Sequence, residues 1–244
     1  MKNLRQHWLH IGILLLAGVA AASGQEQTVT ARVALINNQS HAKMHDNANV
    51  VMWLAPVDGV NPAAMSAFEA QHLQLVQKNK SFSPHVLIVP VGGLVAFPNR
   101  DPVFHNVFSL FEGKRFDLGL YEAGTTRDVR FDKPGISYIF CNIHPEMSAV
   151  VIAIDTPYYG VSDRRGEVVI PRVPPGKYML HIWHEAAVPE TLKSLTREVE
   201  ITSGTSTLGV VELAAATLPQ PHKNKYGRAY DAPNPAQNPA YPQP

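Results

Sequence analysis

From Val29 onward, apolar residues recur at every second position: Val29, Ala31, Val33 and Leu35, with the polar Thr30 and Arg32 between the first three. A period of two belongs to a strand with one buried face. Residues 29–36 are therefore predicted as a strand, residues 50–54 as a second, and the polar stretch 37–49 between them as a loop. Residues 61–70 are rich in Ala and open with Asn61-Pro62, which predicts a short helix capped by Asn61. Short apolar runs bounded by Pro, Gly, Asn and Asp then recur at 72–77, 85–91, 94–97, 107–111, 127–131, 136–141 and 148–154. Further runs lie at 168–170, 178–183, 194–201 and 207–213. So many short strands with turn signals between them predict an all-β sandwich or barrel architecture.

The two ends of the chain depart from this pattern. Lys2 and Arg5, then an apolar run over residues 11–22, then Ser23 and Gly24, have the order of a secretory signal peptide over residues 1–24. The run is shorter than the ~20 residues needed to cross a bilayer, so a periplasmic or secreted protein without a stable membrane span is expected. Residues 215–244 are dense in Pro, Asn and Gln and poor in aliphatics, which predicts a disordered tail. Removing residues 1–24 leaves 19 basic against 20 acidic side chains. A balance so close to neutral gives no general field for nucleic acid and directs attention to a local site.

Export makes Cys141 informative, because secreted domains normally pair their cysteines and this chain has one. Its surroundings read Tyr138-Ile-Phe-Cys141-Asn-Ile-His144-Pro-Glu-Met147, a strand ending in Cys with His after two residues and Met after two more. A second imidazole stands upstream as His105, within Phe97-Pro-Asn-Arg-Asp-Pro-Val-Phe-His105-Asn106. One thiolate and two imidazoles with a weak axial thioether make up the donor set of a type 1 copper site. Soft sulfur favours Cu(I) and nitrogen accommodates Cu(II), so the set tolerates both states. Zinc prefers a closed set of thiolates and imidazoles, to which Met adds little. His85 is expected to pack or lie at the surface, and His41, Met44 and His45 to occupy a solvated loop. His181 and His184, three apart in a strand, point to opposite faces.

On these residues the chain resembles the cupredoxins, and the Cys-x2-His-x2-Met spacing resembles amicyanin-like members. The resemblance implies a Greek-key sandwich over residues 61–155 that binds one copper ion through His105, Cys141, His144 and Met147. It further implies that Asn106 ties the ligand loops together, partly by hydrogen bonding to the cysteine sulfur. Redox partner proteins would dock where His144 reaches the surface among Pro102, Phe104 and Pro145. The run from Asp163 through the Pro174-Pro175-Gly176 turn to Tyr178 resembles a carboxypeptidase regulatory-like, transthyretin-type sandwich. Residues 25–60 and 156–214 are accordingly expected to form one small sandwich around the inserted 61–155 domain, the alternative being two domains in simple tandem. The resulting expectation is an exported one-electron carrier rather than an enzyme. Its rivals are a copper module for storage, delivery or sensing, and a subunit of a copper enzyme.

Overall fold

The computed structural model of the chain describes residues 25–37, 40, 44, 46–110, 112–205, 207–216 and 222–230. The predicted signal peptide, and with it His41 and His45, lies outside the described residues. The fold is all-β and consists of two sandwiches, one interrupting the other.

The first sandwich opens with β1 (Gln27–Asn37) and β2 (Val51–Pro56). The chain returns to it with β13 (Tyr159–Val161), β14 (Glu167–Val173), β15 (Gly176–Trp183), β16 (Arg197–Ile201) and β17 (Thr207–Ala215). One sheet has the order β14-β1-β17 and the other β13-β2-β15-β16. The alternation seen in the sequence of β1 is realised: Val29, Ala31, Val33 and Leu35 face inward and pack on Met52, Leu54, Leu180 and Leu213.

Between β2 and β13 lie α1 (Pro62–Glu69) and the second sandwich. The helix begins as expected, with Asn61 Oδ1 accepting the Ala63 N–H at 2.9 Å. The sandwich strands are β3 (Leu73–Gln74), β4 (Val76–Gln77), β5 (Phe82–Ser83), β6 (Val86–Pro90), β7 (Gly93–Pro98) and β8 (His105–Ser109). They continue with β9 (Phe116–Tyr121), β10 (Thr126–Phe131), β11 (Gly135–Cys141) and β12 (Ser148–Ile154). The chain crosses back and forth between a five-stranded sheet, β6-β12-β11-β8-β9, and a three-stranded one, β10-β7-β3, in Greek-key fashion. Phe97, Val107, Phe131, Ile139 and Val151 fill the space between them. Where this insertion begins and ends, the two chain segments are joined: Thr156 Oγ1 donates to the Leu54 carbonyl at 2.8 Å and Leu54 N–H to Tyr158 at 2.9 Å. Termini so close let one sandwich interrupt another without distorting it.

The run Ser148-Ala-Val-Val-Ile-Ala-Ile154 does not alternate in polarity because both faces of β12 are covered. Ala149, Val151 and Ala153 face the core of their own sandwich. Val150, Ile152 and Ile154 face outward onto Val51, Phe68 and Trp183 of the flanking elements, joined by Val86 and Ile88 of β6. A polar link, His85 Nε2 to Glu185 at 2.9 Å, runs beside this apolar seam.

Three differences from the sequence reading have local causes. Residues 194–201 form the end of a helix, α2 (Pro189–Leu195), followed by β16. Pro189 at its first turn, Glu190 after it and Lys193 near its end are helix signals that an apolar count passes over. Strands β5, β9 and β13 were not predicted; two are very short, and β9 carries Gly119 at φ 68°. Strand β8 starts at His105, two residues before the predicted run 107–111, so His105 stands on the sheet itself. In the tail, residues 217–221 and 231–244 lie outside the described residues, while 222–230 rest on the five-stranded sheet.

Truncating Ile152, 1% exposed, removes methylenes from the seam between the sandwiches. Ile152→Ala is expected to cost about 2–5 kcal/mol, seen as a lower urea midpoint.

Candidate metal centre

Two strands of one sheet deliver the site. His105 opens β8 and Cys141 closes β11, and the two strands pair antiparallel with Cys141 opposite Val107. After Cys141 the chain turns tightly: Met147 N–H donates to the His144 carbonyl at 3.1 Å, and Cys141 N–H to the Met147 carbonyl at 3.2 Å. This turn brings His144 back over Cys141. The loop is bound to β8 by Asn142 N–H donating to the Asn106 carbonyl at 2.9 Å.

His105, Cys141 and His144 converge, with exposures of 0%, 0% and 6%. Nδ1 of His105 lies 3.1 Å from Nδ1 of His144, and Cys141 Sγ lies 3.7 Å from the first and 3.5 Å from the second. A point equidistant from the three atoms is about 2.0 Å from each, the length of a metal–imidazole bond. The three side chains therefore fit a single metal ion. Met147 is fully buried in the same apolar cluster as Cys141.

The surroundings prepare these donors. His105 Nε2 meets Asp101 Oδ2 at 2.9 Å, which leaves Nδ1 turned to the other donors. A carboxylate on the far nitrogen of a ligating imidazole fixes ring orientation and tautomer. Asp101 is itself held by the N–H groups of Asn79 and Lys80. Burial works to raise its pKa, but those N–H groups and His105 outweigh burial and keep it below the ordinary carboxylate range. Burial lowers the pKa of His105 despite Asp101. Burial, with repulsion from His105, brings His144 down to about 4. Both imidazoles are thus neutral at neutral pH, the form that binds metal. Burial pushes the Cys141 thiol up, against the main-chain N–H groups of Ile143, Asn106 and His144, which pull it down.

Asn106 acts through its main chain, whose N–H faces the sulfur and whose carbonyl holds Asn142. Its side chain turns away, and Nδ2 donates to Asp117 at 2.6 Å. Pro102, Phe104 and Pro145 are exposed on the ligand loops, and Ile143, which the sequence reading passed over, is 41% exposed beside them. His144 itself shows only an edge. Elsewhere, Met44 packs on the flanking core, His181 stacks on Trp53 at 5.0 Å, and His184 Nδ1 accepts the Ala186 N–H. None of these joins the site. Asp101 escaped the sequence reading, although an acid four residues before a candidate imidazole ligand was a usable signal. Tyr230 and His222 carried no comparable signal, being some eighty residues beyond Cys141 in a stretch that looks structureless.

The arrangement defines a class: an all-β protein in which two imidazoles and one thiol form a buried cluster that could hold a metal ion. No protein-family model matches the chain, and no curated protein does. Among solved structures, part of it is similar to a copper-containing nitrite reductase from Thermus scotoductus SA-01, at 25% identity over 34% of this chain and 22% of that one, TM-score 0.33. It is also similar to a purple cupredoxin from Nitrosopumilus maritimus, at 26% identity over 34% of this chain and 99% of that one, TM-score 0.31. An oxidised amicyanin mutant shares 19% identity over 35% of this chain and 84% of its own, TM-score 0.32. The chain spans less than a quarter of the nitrite reductase. Among the described residues, no helix is long and apolar enough to cross a membrane.

The lowered histidines set a pH response for the metal-free protein. Between pH 6.5 and about 4 the unfolded chain binds the protons that folded His144 refuses, so stability falls as pH falls through that window. A urea midpoint lower at pH 4.5 than at pH 7 is expected, with a smaller loss in His144→Gln.

Proposed function

We propose that this chain is an exported cupredoxin-type protein that carries single electrons on one type 1 copper ion. His105, Cys141 and His144 would hold the ion, with Met147 as a further, weaker donor. The observation behind this reading is the enclosed triangle of two imidazole nitrogens and one sulfur, sized for a single ion. Bound copper supplies reversible one-electron chemistry, Cu(I) to Cu(II) and back. The protein's contribution is to exclude water and keep the donors fixed through that change. Asp101 orients His105, and the Asn106–Asn142 link ties the two ligand segments together. Donors held in this way move little when the ion changes charge. The flanking sandwich, which resembles a carboxypeptidase regulatory-like domain, braces β6 and β12 from outside.

Electrons would enter and leave at the edge of His144. The exposed Pro102, Phe104, Ile143 and Pro145 give redox partner proteins a small apolar surface that docks briefly. With near-neutral overall charge, the encounter depends little on long-range steering.

Addition of Cu(II) is expected to give one bound ion per chain and an intense blue band from charge transfer between the Cys141 thiolate and copper. One electron bleaches it and reoxidation restores it. Cys141→Ser abolishes the band, and a variant that stays blue removes Cys141 from the site. Several Cu(I) ions per chain with no blue form would point instead to storage or delivery. Met147→Gln is expected to keep copper and lower the reduction potential, since an oxygen donor favours Cu(II); an unchanged potential takes Met147 out of the site.

A further inference from the structure

Residues 222–230 return from the far end of the chain and close over the outer side of the ligand loop. The His222 ring stacks on Phe140, centroids 4.1 Å apart, and Tyr230 meets His222 edge-on at 5.1 Å. Tyr230 Oη donates to the Cys141 carbonyl at 2.7 Å, and Lys225 N–H donates to Asn142 Oδ1 at 2.9 Å. Lys225 Nζ meets Asp117 Oδ2 at 2.8 Å, while the other oxygen of Asp117 accepts from Asn106. Four separate contacts therefore bind this segment to Phe140, Cys141, Asn142 and Asp117, and Asp117 in turn holds the side chain of Asn106.

The peptide between Cys141 and Asn142 is held from both sides. Its N–H reaches the Asn106 carbonyl, and its carbonyl receives the Tyr230 hydroxyl. The orientation of this peptide sets where the following N–H groups, those of Ile143 and His144, point, and both face the cysteine sulfur.

We propose that Tyr230 is a positioning residue of the metal centre: its hydrogen bond to the Cys141 carbonyl fixes the peptide that directs N–H groups at the ligand sulfur. This rests on the copper reading above. Hydrogen bonds to a thiolate draw electron density from it and favour the reduced ion. Loosening them shifts the site toward Cu(II).

The test compares full-length wild type with Tyr230→Phe, which keeps the ring and loses the donor, and with Tyr226→Phe, whose ring is 71% exposed in the same segment. Copper-loaded Tyr230→Phe is expected to stay blue. Against a fixed mediator, its ratio of oxidised to reduced protein rises by a factor of about 2 to 10, the worth of one hydrogen bond, while Tyr226→Phe matches wild type. A Tyr230→Phe ratio equal to wild type in a blue protein overturns the proposal. If wild type gives no thiolate band with copper, it is the copper reading that fails. Hydrogen exchange of residues 141–147 in the metal-free protein then decides: exchange about 2- to 10-fold faster in Tyr230→Phe upholds the positioning role, and unchanged exchange ends it. Should Tyr230→Phe not fold, Asp117→Asn, which weakens the Lys225 link, is judged by the same two readouts.

Discussion

Two imidazole nitrogens and a sulfur lying within 4 Å of one another, on side chains almost closed to solvent, are not what apolar packing alone would assemble. Buried polar atoms must find partners, and here they have one another, Asp101 and a few main-chain N–H groups. Keeping the two histidines uncharged and turned inward is the constraint that the rest of the site serves. Asp101 holds His105 from behind, two main-chain N–H groups hold Asp101, and the Asn106–Asn142 link keeps the two ligand segments at one separation. A change in any of these reaches the donors through at most two bonds.

The scaffold supports that constraint from both sides of one sheet. Strand β12, the partner of β11, is buried on both faces, so it cannot shift without disturbing two cores at once. On the inner face it packs in the core that contains Cys141 and Met147. On the outer face it meets Trp183, Val51 and Phe68 from the flanking elements. Further along the same sheet, Phe140 turns outward from β11 and is covered by His222 from the C-terminal segment. The strand that ends in the cysteine is thus backed by two parts of the chain distant in sequence, the flanking sandwich and residues 222–230.

Much of this was legible in the sequence because it depends on local spacing. The turn from Cys141 to Met147 is short enough for its residues alone to bring His144 back over the sulfur, so the motif could be read without a fold. Period-two alternation identified β1, and an unbroken apolar run identified β12. Helix α2 was misread because its signals are a Pro and two charges rather than an apolar stripe, and β9 because Gly119 interrupts it.

The sequence by itself determined the all-β character, the strands that carry the site and the chemical types gathered in it, since these follow from side-chain pattern over a few residues. Only the tertiary structure decided which distant groups meet: Asp101 behind His105, the backbone rather than the side chain of Asn106 at the sulfur, and Tyr230 on the Cys141 carbonyl. The physical reason is that these contacts join segments separated by loops, strands or a whole domain. Their partners are fixed by how sheets pair and pack, and a linear pattern records each partner without recording the meeting.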